Sequence, residues 1–313
     1  MKDLKRLTIA NFNCTFGLDD KPMMEYFDNI IYPAFKSDII REQKDTSYFF
    51  DEVKIMEYEK DKFILVGLLI KSTTLEIKSE YIKGTGIKKV NKRYGSDPFS
   101  IFIIFLENHR MILVKNQSKG SPDIRSFSAT ASYFLKDYIH SQNKYKEKKD
   151  KLPFAKLNVV SIPSKEDIVK KLEGVNKIEK VTFRLYPANG DIPINGAYNS
   201  LLEQLDMIGS KTGNVNYNSP TKKTKVAELI TETRGLVDPS LKVKYKNGGK
   251  GTIRNESFSE SIDIEISEDA ELKDNVYEIM DIMSENKDLH EVSENNKIIY
   301  LDNIKKVKNL NNK

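Results

Sequence analysis

Apolar and polar positions alternate from Leu7 to Phe16, the period of a half-buried strand, and Met23, Met24, Phe27, Ile30, Ile31 and Phe35 then recur near helical spacing. Pro33 kinks or ends that helix, because its ring removes an amide donor from the ladder. Strand patterns follow around Ser47 to Phe50, Val53 to Tyr58 and Phe63 to Ser72. The loop Lys83-Gly84-Thr85-Gly86 reads as a flexible turn, since the third glycine and following helix of a phosphate cradle are missing. Two apolar, β-branched runs, Phe99 to Leu106 and Met111 to Lys115, flank the polar tetrad Glu107-Asn108-His109-Arg110 and predict a buried β-hairpin. Its charged tip reads as a solvated turn.

A helix is predicted over Phe127 to Ile139, and the charged run His140 to Lys151 marks a boundary. Beyond it, a strand at Leu157 to Ile162, a Ser164-capped helix Lys165 to Leu172 and a strand at Ile178 to Leu185 precede a helix Tyr198 to Ile208. A helix Thr221 to Gly235 follows, then a hairpin in which Leu241 to Tyr245 and Gly251 to Arg254 flank Asn247-Gly248-Gly249. The pattern predicts an α+β protein of two mixed domains with largely antiparallel sheets, the second ferredoxin-like or related. The expected boundaries are residues 1–150, 151–270, and a C-terminal part, 271–313, with a helix Val276 to Met283 and a disordered tail Lys305 to Lys313.

The 313 residues suffice for two ordinary domains, and no apolar run approaches the roughly 20 residues that span a bilayer. One cysteine, Cys14, excludes an intrachain disulfide and suits a reducing cytoplasm; with only His109, His140 and His290 beside it, a Cys/His zinc site has no ligand set. Neither a metal nor a cofactor is expected from the motifs. Charge is segregated: Lys211 to Arg254 holds 10 Lys and Arg against 3 Asp and Glu, whereas Glu256 to Glu294 holds 2 against 14. The basic segment suits phosphate contacts, through Lys222, Lys223 and Lys225 at a helix start and Lys242, Lys244, Lys246, Lys250 and Arg254 on the hairpin. Alternating lysines also protect an edge strand. The acidic segment reads as a solvating region, or as a strip that folds over the basic face.

No nucleophile with its base, and no carboxylate cluster at metal-binding spacing, is recognisable. Glu107, His109 and Arg110 are the one constellation to weigh for acid–base chemistry, because imidazole titrates near neutrality and a close carboxylate would orient it.

The hairpin ending in Glu107-Asn108-His109-Arg110, the preceding strand with Val66-Gly67-Leu68-Leu69, the segment Val159 to Pro163 and the piece Val181 to Asp191 together resemble an uncharacterised bacterial family known only as a domain of unknown function. The order of elements is also similar to that of the RexA phage-exclusion protein, a dimeric DNA-binding sensor of phage infection. The resemblance implies a bacterial phage-defence role of the abortive-infection type, as a nucleic-acid-binding sensor or effector. Duplex DNA is the expected partner, with a homo-oligomer, a dimer in the RexA layout, and an operon-encoded partner protein. A metal-dependent nuclease and a protein-interaction subunit of a multi-component defence system remain open alternatives.

Overall fold

A computed structural model describes residues 2–117, 119–186, 197–259, 261–267 and 270–312. The first part of the chain forms β1 (Lys2–Phe16), β2 (Lys21–Pro22), a 3-10 turn (Met23–Tyr26), a π turn (Phe27–Ile31), α1 (Tyr32–Phe35), β3 (Arg41–Gln43), β4 (Thr46–Glu59), β5 (Lys62–Ile82), β6 (Gly86–Ser96), β7 (Phe99–Phe105), β8 (Arg110–Lys115) and α2 (Ile124–Asn143). Then come β9 (Ala155–Ser161), α3 (Lys165–Glu173), β10 (Val175–Leu185), α4 (Ala197–Met207), β11 (Gly213–Asn218), α5 (Lys223–Thr231), β12 (Val237–Tyr245) and β13 (Lys250–Arg254). The chain closes with β14 (Ser261–Ser267), α6 (Leu272–Ile282), α7 (Lys287–His290) and α8 (Glu294–Asn311). This is the mixed α+β architecture, with antiparallel sheets, that the patterning predicts.

The larger sheet has ten strands in the path β14-β1-β8-β7-β5-β4-β3, with β2 and β9 also on β1 and β6 also on β5. Period-two alternation sends Ala10, Phe12, Cys14 and Phe16 of β1 to one face and Leu7 and Ile9 to the other, so the sheet carries a core on both sides. On the first face, α2 and the Met23–Phe35 segment pack around interlocked rings of Phe35, Phe50, Phe102 and Phe127. Gly67 of β5 is required there, because a Cβ would stand 2.8 Å from the Phe102 ring. On the second face, Val276 and Ile279 of α6 and Leu289 of α7 cover the sheet.

The smaller sheet has the order β11-β10-β12-β13, antiparallel throughout. Helices α3, α4 and α5 bury Ile168, Leu172, Tyr198, Val226 and Ile230 against one face of it, on Val181, Phe183, Leu241 and Val243. The joints that fasten it to the larger sheet and its helices include three groups of side-chain contacts. Asn255 Nδ2 donates to the Ser161 carbonyl at 2.7 Å, Asn11 Nδ2 donates to the Arg234 carbonyl at 3.1 Å, and Arg234 pairs with Asp288 at 2.9 Å and with Glu291.

The structure departs from the sequence-based expectations at four places. The hairpin tip is not solvated: Asn108, His109 and Arg110 are buried, and Asn108 Nδ2 donates to the carbonyls of Leu289 (2.7 Å) and Glu291 (3.1 Å), so the C-terminal region lies over it. The strand at Leu157 to Ile162 does not join the second sheet; β9 pairs with β1 over Ala155 to Ser161 because β1 is long enough to take β14 and β9 in succession. The tail is not disordered, since α8 runs to Asn311 and drives Tyr300 and Val307 into the core. Nor is the acidic stretch a solvating helix and linker or a cover on the basic hairpin: the alternation over Phe258 to Ile266, which reads as an amphipathic strand, forms β14 and extends the larger sheet, and the helix expected at Val276 to Met283 is α6, which packs under that sheet. The piece Pro187 to Asp191 lies outside the described residues.

Candidate nucleic-acid interface

The strands of the smaller sheet are half-apolar. Inward Val181, Phe183 and Leu185 of β10 alternate with Lys180, Thr182 and Arg184, and inward Leu241 and Val243 of β12 alternate with Ser240, Lys242 and Lys244. Residues directly opposite across an antiparallel pair share a face. The register therefore builds rows on the face that the helices leave open. Lys177, Lys244 and Lys250 form one row; Asn218, Lys180, Lys242 and Thr252 the next; Asn216, Thr182, Ser240 and Arg254 a third; and Asn214, Arg184 and Asp238 a fourth. Seven cations share this face.

Opposite the lower rows stand Arg125, Ser128, Ala129 and Ser132 of α2 and Asn158 to Ser161 of β9, and between the two walls lies a cleft of about 650 Å³. Arg125, Arg184, Lys242 and Arg254 all line it. Arg125 Nε is held by Glu256 at 2.9 Å, and the Arg184 guanidinium lies 5.2 Å from the centre of the Tyr186 ring. Burial raises the Asp238 carboxyl above the usual carboxylate range; the Glu256 charge adds to this, and Arg184, Arg254 and Arg125 pull against it. Ser161 Oγ and Asn255 Oδ1 on its lining are buried without a hydrogen-bond partner among the described residues. Buried polar atoms of this kind are rare and call for a ligand or water.

Of the basic residues predicted as a site, the fold brings Lys242, Lys244, Lys250 and Arg254 together. Lys246 lies just past the end of β12, exposed, in the turn. Lys222, Lys223 and Lys225 belong to the start of α5, which covers the opposite face. There Lys223 Nζ donates to the Leu172 and Val175 carbonyls, closing the C-terminal end of α3, and Lys225 pairs with Glu228 at 2.6 Å. Lys177, Lys180, Arg184 and Arg125 were missed. The alternation Lys180, Thr182, Arg184 was a usable signal, but only strand pairing places it beside Lys242 and Ser240.

Of the Glu107, His109 and Arg110 constellation, the fold buries His109 and Arg110. Burial, and then the Arg110 charge, lower the His109 imidazole to about 4, so it is neutral at pH 7 under the C-terminal region. Its φ of 58° puts it in the left-handed region, and its carbonyl accepts from the Phe12 amide at 2.7 Å. The tip is a structural corner.

Among the described residues, no group of three or more His, Cys, Asp or Glu side chains is placed to hold a metal ion, and no helix is long and apolar enough to cross a membrane. No protein-family model matches the chain, and no curated protein matches it.

Proposed function

We propose that the protein binds nucleic acid on the open face of the smaller sheet, with duplex DNA as the favoured form, in the phage-defence setting that the sequence resemblance implies. The observation that carries this reading is the register that stacks seven Lys and Arg on one uncovered face, at the mouth of a cleft of about 650 Å³. Cations spaced along neighbouring strands neutralise phosphates and release counterions, which supplies affinity without sequence preference. The rows are filled out by Asn, Thr and Ser rather than by successive aromatic rings, and the Tyr186 ring in the cleft beside them lies against the Arg184 guanidinium. Single-strand platforms depend on such rings, so the face suits a phosphate backbone better than splayed bases.

The test is a titration of a labelled duplex at two salt concentrations. With about six phosphate contacts, affinity falls about a thousandfold between 50 and 200 mM salt. Changing Lys242, Lys244 and Arg254 together to Gln weakens binding uniformly across sequences and reduces the salt slope by about three. Salt-insensitive binding, or full affinity in that variant, removes the assignment.

A second reading, cleavage of the bound strand, draws support from Asp238, a half-buried carboxyl among Arg125, Arg184 and Arg254 in the same cleft. Incubating plasmid and RNA with the protein and Mg²⁺ or Mn²⁺, with Asp238→Asn as the control, separates an enzyme from a binder.

A further inference from the structure

The open face of the smaller sheet divides by residue type. Lys177, Lys180, Lys244 and Lys250 lie on its outer rows and outside the cleft, whereas Arg184 and Arg254 line the cleft together with Arg125 of α2, and Lys242 belongs to both sets. A lysine is a flexible point charge that suits a backbone phosphate; an arginine fork grips the oxygens of a terminal phosphate in pairs. The opposite wall leaves room for a ligand. Arg125, Ser128, Ala129 and Ser132 fall on one stripe of α2 at spacings of three and four, so small side chains front the gap beside the arginine. At about 650 Å³ the cleft has the size that holds a small organic ligand, and a duplex is too broad to enter it. Ser161 Oγ and Asn255 Oδ1, on residues 1% and 3% exposed, stand on its lining with no hydrogen-bond partner among the described residues.

We infer that the cleft is a binding site for a nucleoside mono- or diphosphate, its phosphates held by Arg125, Arg254 and Lys242 and its base laid on the Arg184 guanidinium. Charge limits the number of phosphates. Arg125, Arg184, Lys242 and Arg254 stand against Asp238 and Glu256, so four cations less two carboxylates leave an excess of two, which rises by one when Asp238 is protonated. A terminal phosphate brings about 1.5 to 2 negative charges at pH 7, and a second phosphate about one more. Three features favour a nucleotide over a bare anion. The cleft is larger than a phosphate ion fills. The Arg184 guanidinium, backed by the Tyr186 ring at 5.2 Å, presents a plane of the kind on which a base stacks. Asn158, Asn214 and Asn255 supply amide groups of the kind that pair with base edges. One such platform serves a single base and not the succession of bases in an unpaired strand. The inference does not rest on the duplex reading, because Lys177, Lys180, Lys244 and Lys250 serve the open face alone.

Isothermal titration calorimetry of the full chain in phosphate-free buffer with EDTA tests it, using AMP, ADP, GMP and GDP as probes beside adenosine, guanosine and inorganic phosphate. At least one nucleotide is expected to bind to one equivalent with Kd below about 100 μM, and its nucleoside and inorganic phosphate at least about tenfold more weakly. Arg125→Gln and Arg184→Gln are each expected to weaken that nucleotide about tenfold or more, with thermal melting to confirm that both variants fold. The double variant Lys177→Gln with Lys244→Gln is expected to leave nucleotide affinity within about twofold of the parent's, since neither lysine lines the cleft. Failure of all four nucleotides to bind at about 1 mM overturns the inference. So does inorganic phosphate that binds as tightly as the nucleotide, which marks an anion site only, and so does a loss in the double lysine variant equal to that in the arginine variants, which places the ligand on the open face. A chain that binds nucleotide in this pattern and binds no duplex upholds the inference and removes the duplex reading.

Discussion

Arg184 and Asp238 stand directly opposite one another on β10 and β12, on the open face of the smaller sheet. Asp238 is half-buried, and burial keeps its carboxyl raised although Arg184, Arg254 and Arg125 pull against it. The face is therefore most cationic when Asp238 is protonated.

The first prediction follows from that pair. Lowering the pH toward the raised titration of Asp238 is expected to strengthen duplex binding, as the carboxyl takes up a proton and ceases to repel phosphate. The variant Asp238→Asn is expected to bind more tightly at pH 7 and to lose most of this pH dependence. Because the folded state raises this pKa, the ionised carboxyl costs stability above it, so Asp238→Asn is also expected to melt higher at neutral pH. Binding isotherms and thermal melts over an acid-to-neutral pH series give both answers.

Lys223 and Lys242 carry the same charge but different work, and substitution separates them. Lys242→Gln is expected to weaken duplex binding and to leave stability within about 0.5 kcal/mol, as a surface change does. Lys223→Gln is expected to leave binding intact and to cost about 1–3 kcal/mol, because the Leu172 and Val175 carbonyls lose a charged donor. Urea unfolding beside a binding titration on each variant measures both quantities.

His109 makes the fold acid-sensitive. Its folded-state pKa is lowered to about 4 from an ordinary 6.5, so the unfolded chain binds the proton first. Its contribution to stability is complete above pH 6.5 and is lost as the pH falls from 6.5 toward 4, with a slope of up to about 1.4 kcal/mol per pH unit. His109→Asn keeps a residue that tolerates φ near 58° and removes the titration. Its stability is expected to be flatter over that window than the parent's, measured by urea midpoints at fixed pH.

Tyr300 ties α8 to the larger sheet through both of its hydroxyl's hydrogen bonds. It accepts from the Phe63 amide at 3.1 Å and donates to the Asp61 carbonyl at 2.9 Å. Tyr300→Phe leaves that buried amide without its partner and is expected to cost about 1–3 kcal/mol in urea unfolding. Ending the chain after Met283 removes α8 altogether, uncovers the Phe-rich face of the sheet, and is expected to yield an unfolded or aggregating product by circular dichroism and light scattering.

Local pattern determined the kinds of elements. Alternation from Leu7 to Phe16 and the two apolar runs around Glu107 to Arg110 specify strands and a hairpin, since a period of two and a tight turn are properties of a short stretch. The same holds for the Ser164 cap, whose hydroxyl accepts from the Asp167 amide, and for the hairpin at Asn247-Gly248-Gly249. What tertiary structure alone decided was which elements meet. The charged tip is buried because residues 181 positions away supply carbonyls to Asn108. The polar helix α8 is held because Tyr300 and Val307 find the sheet, although its pattern is weakly amphipathic. Lys223 and Lys242 diverge in role because a strand and a helix present opposite faces of one sheet, and Arg184 joins Lys242 only through cross-strand register. Pairing partners far apart in sequence are chosen by the total burial and hydrogen bonding of the folded chain, and no local window of residues holds that information.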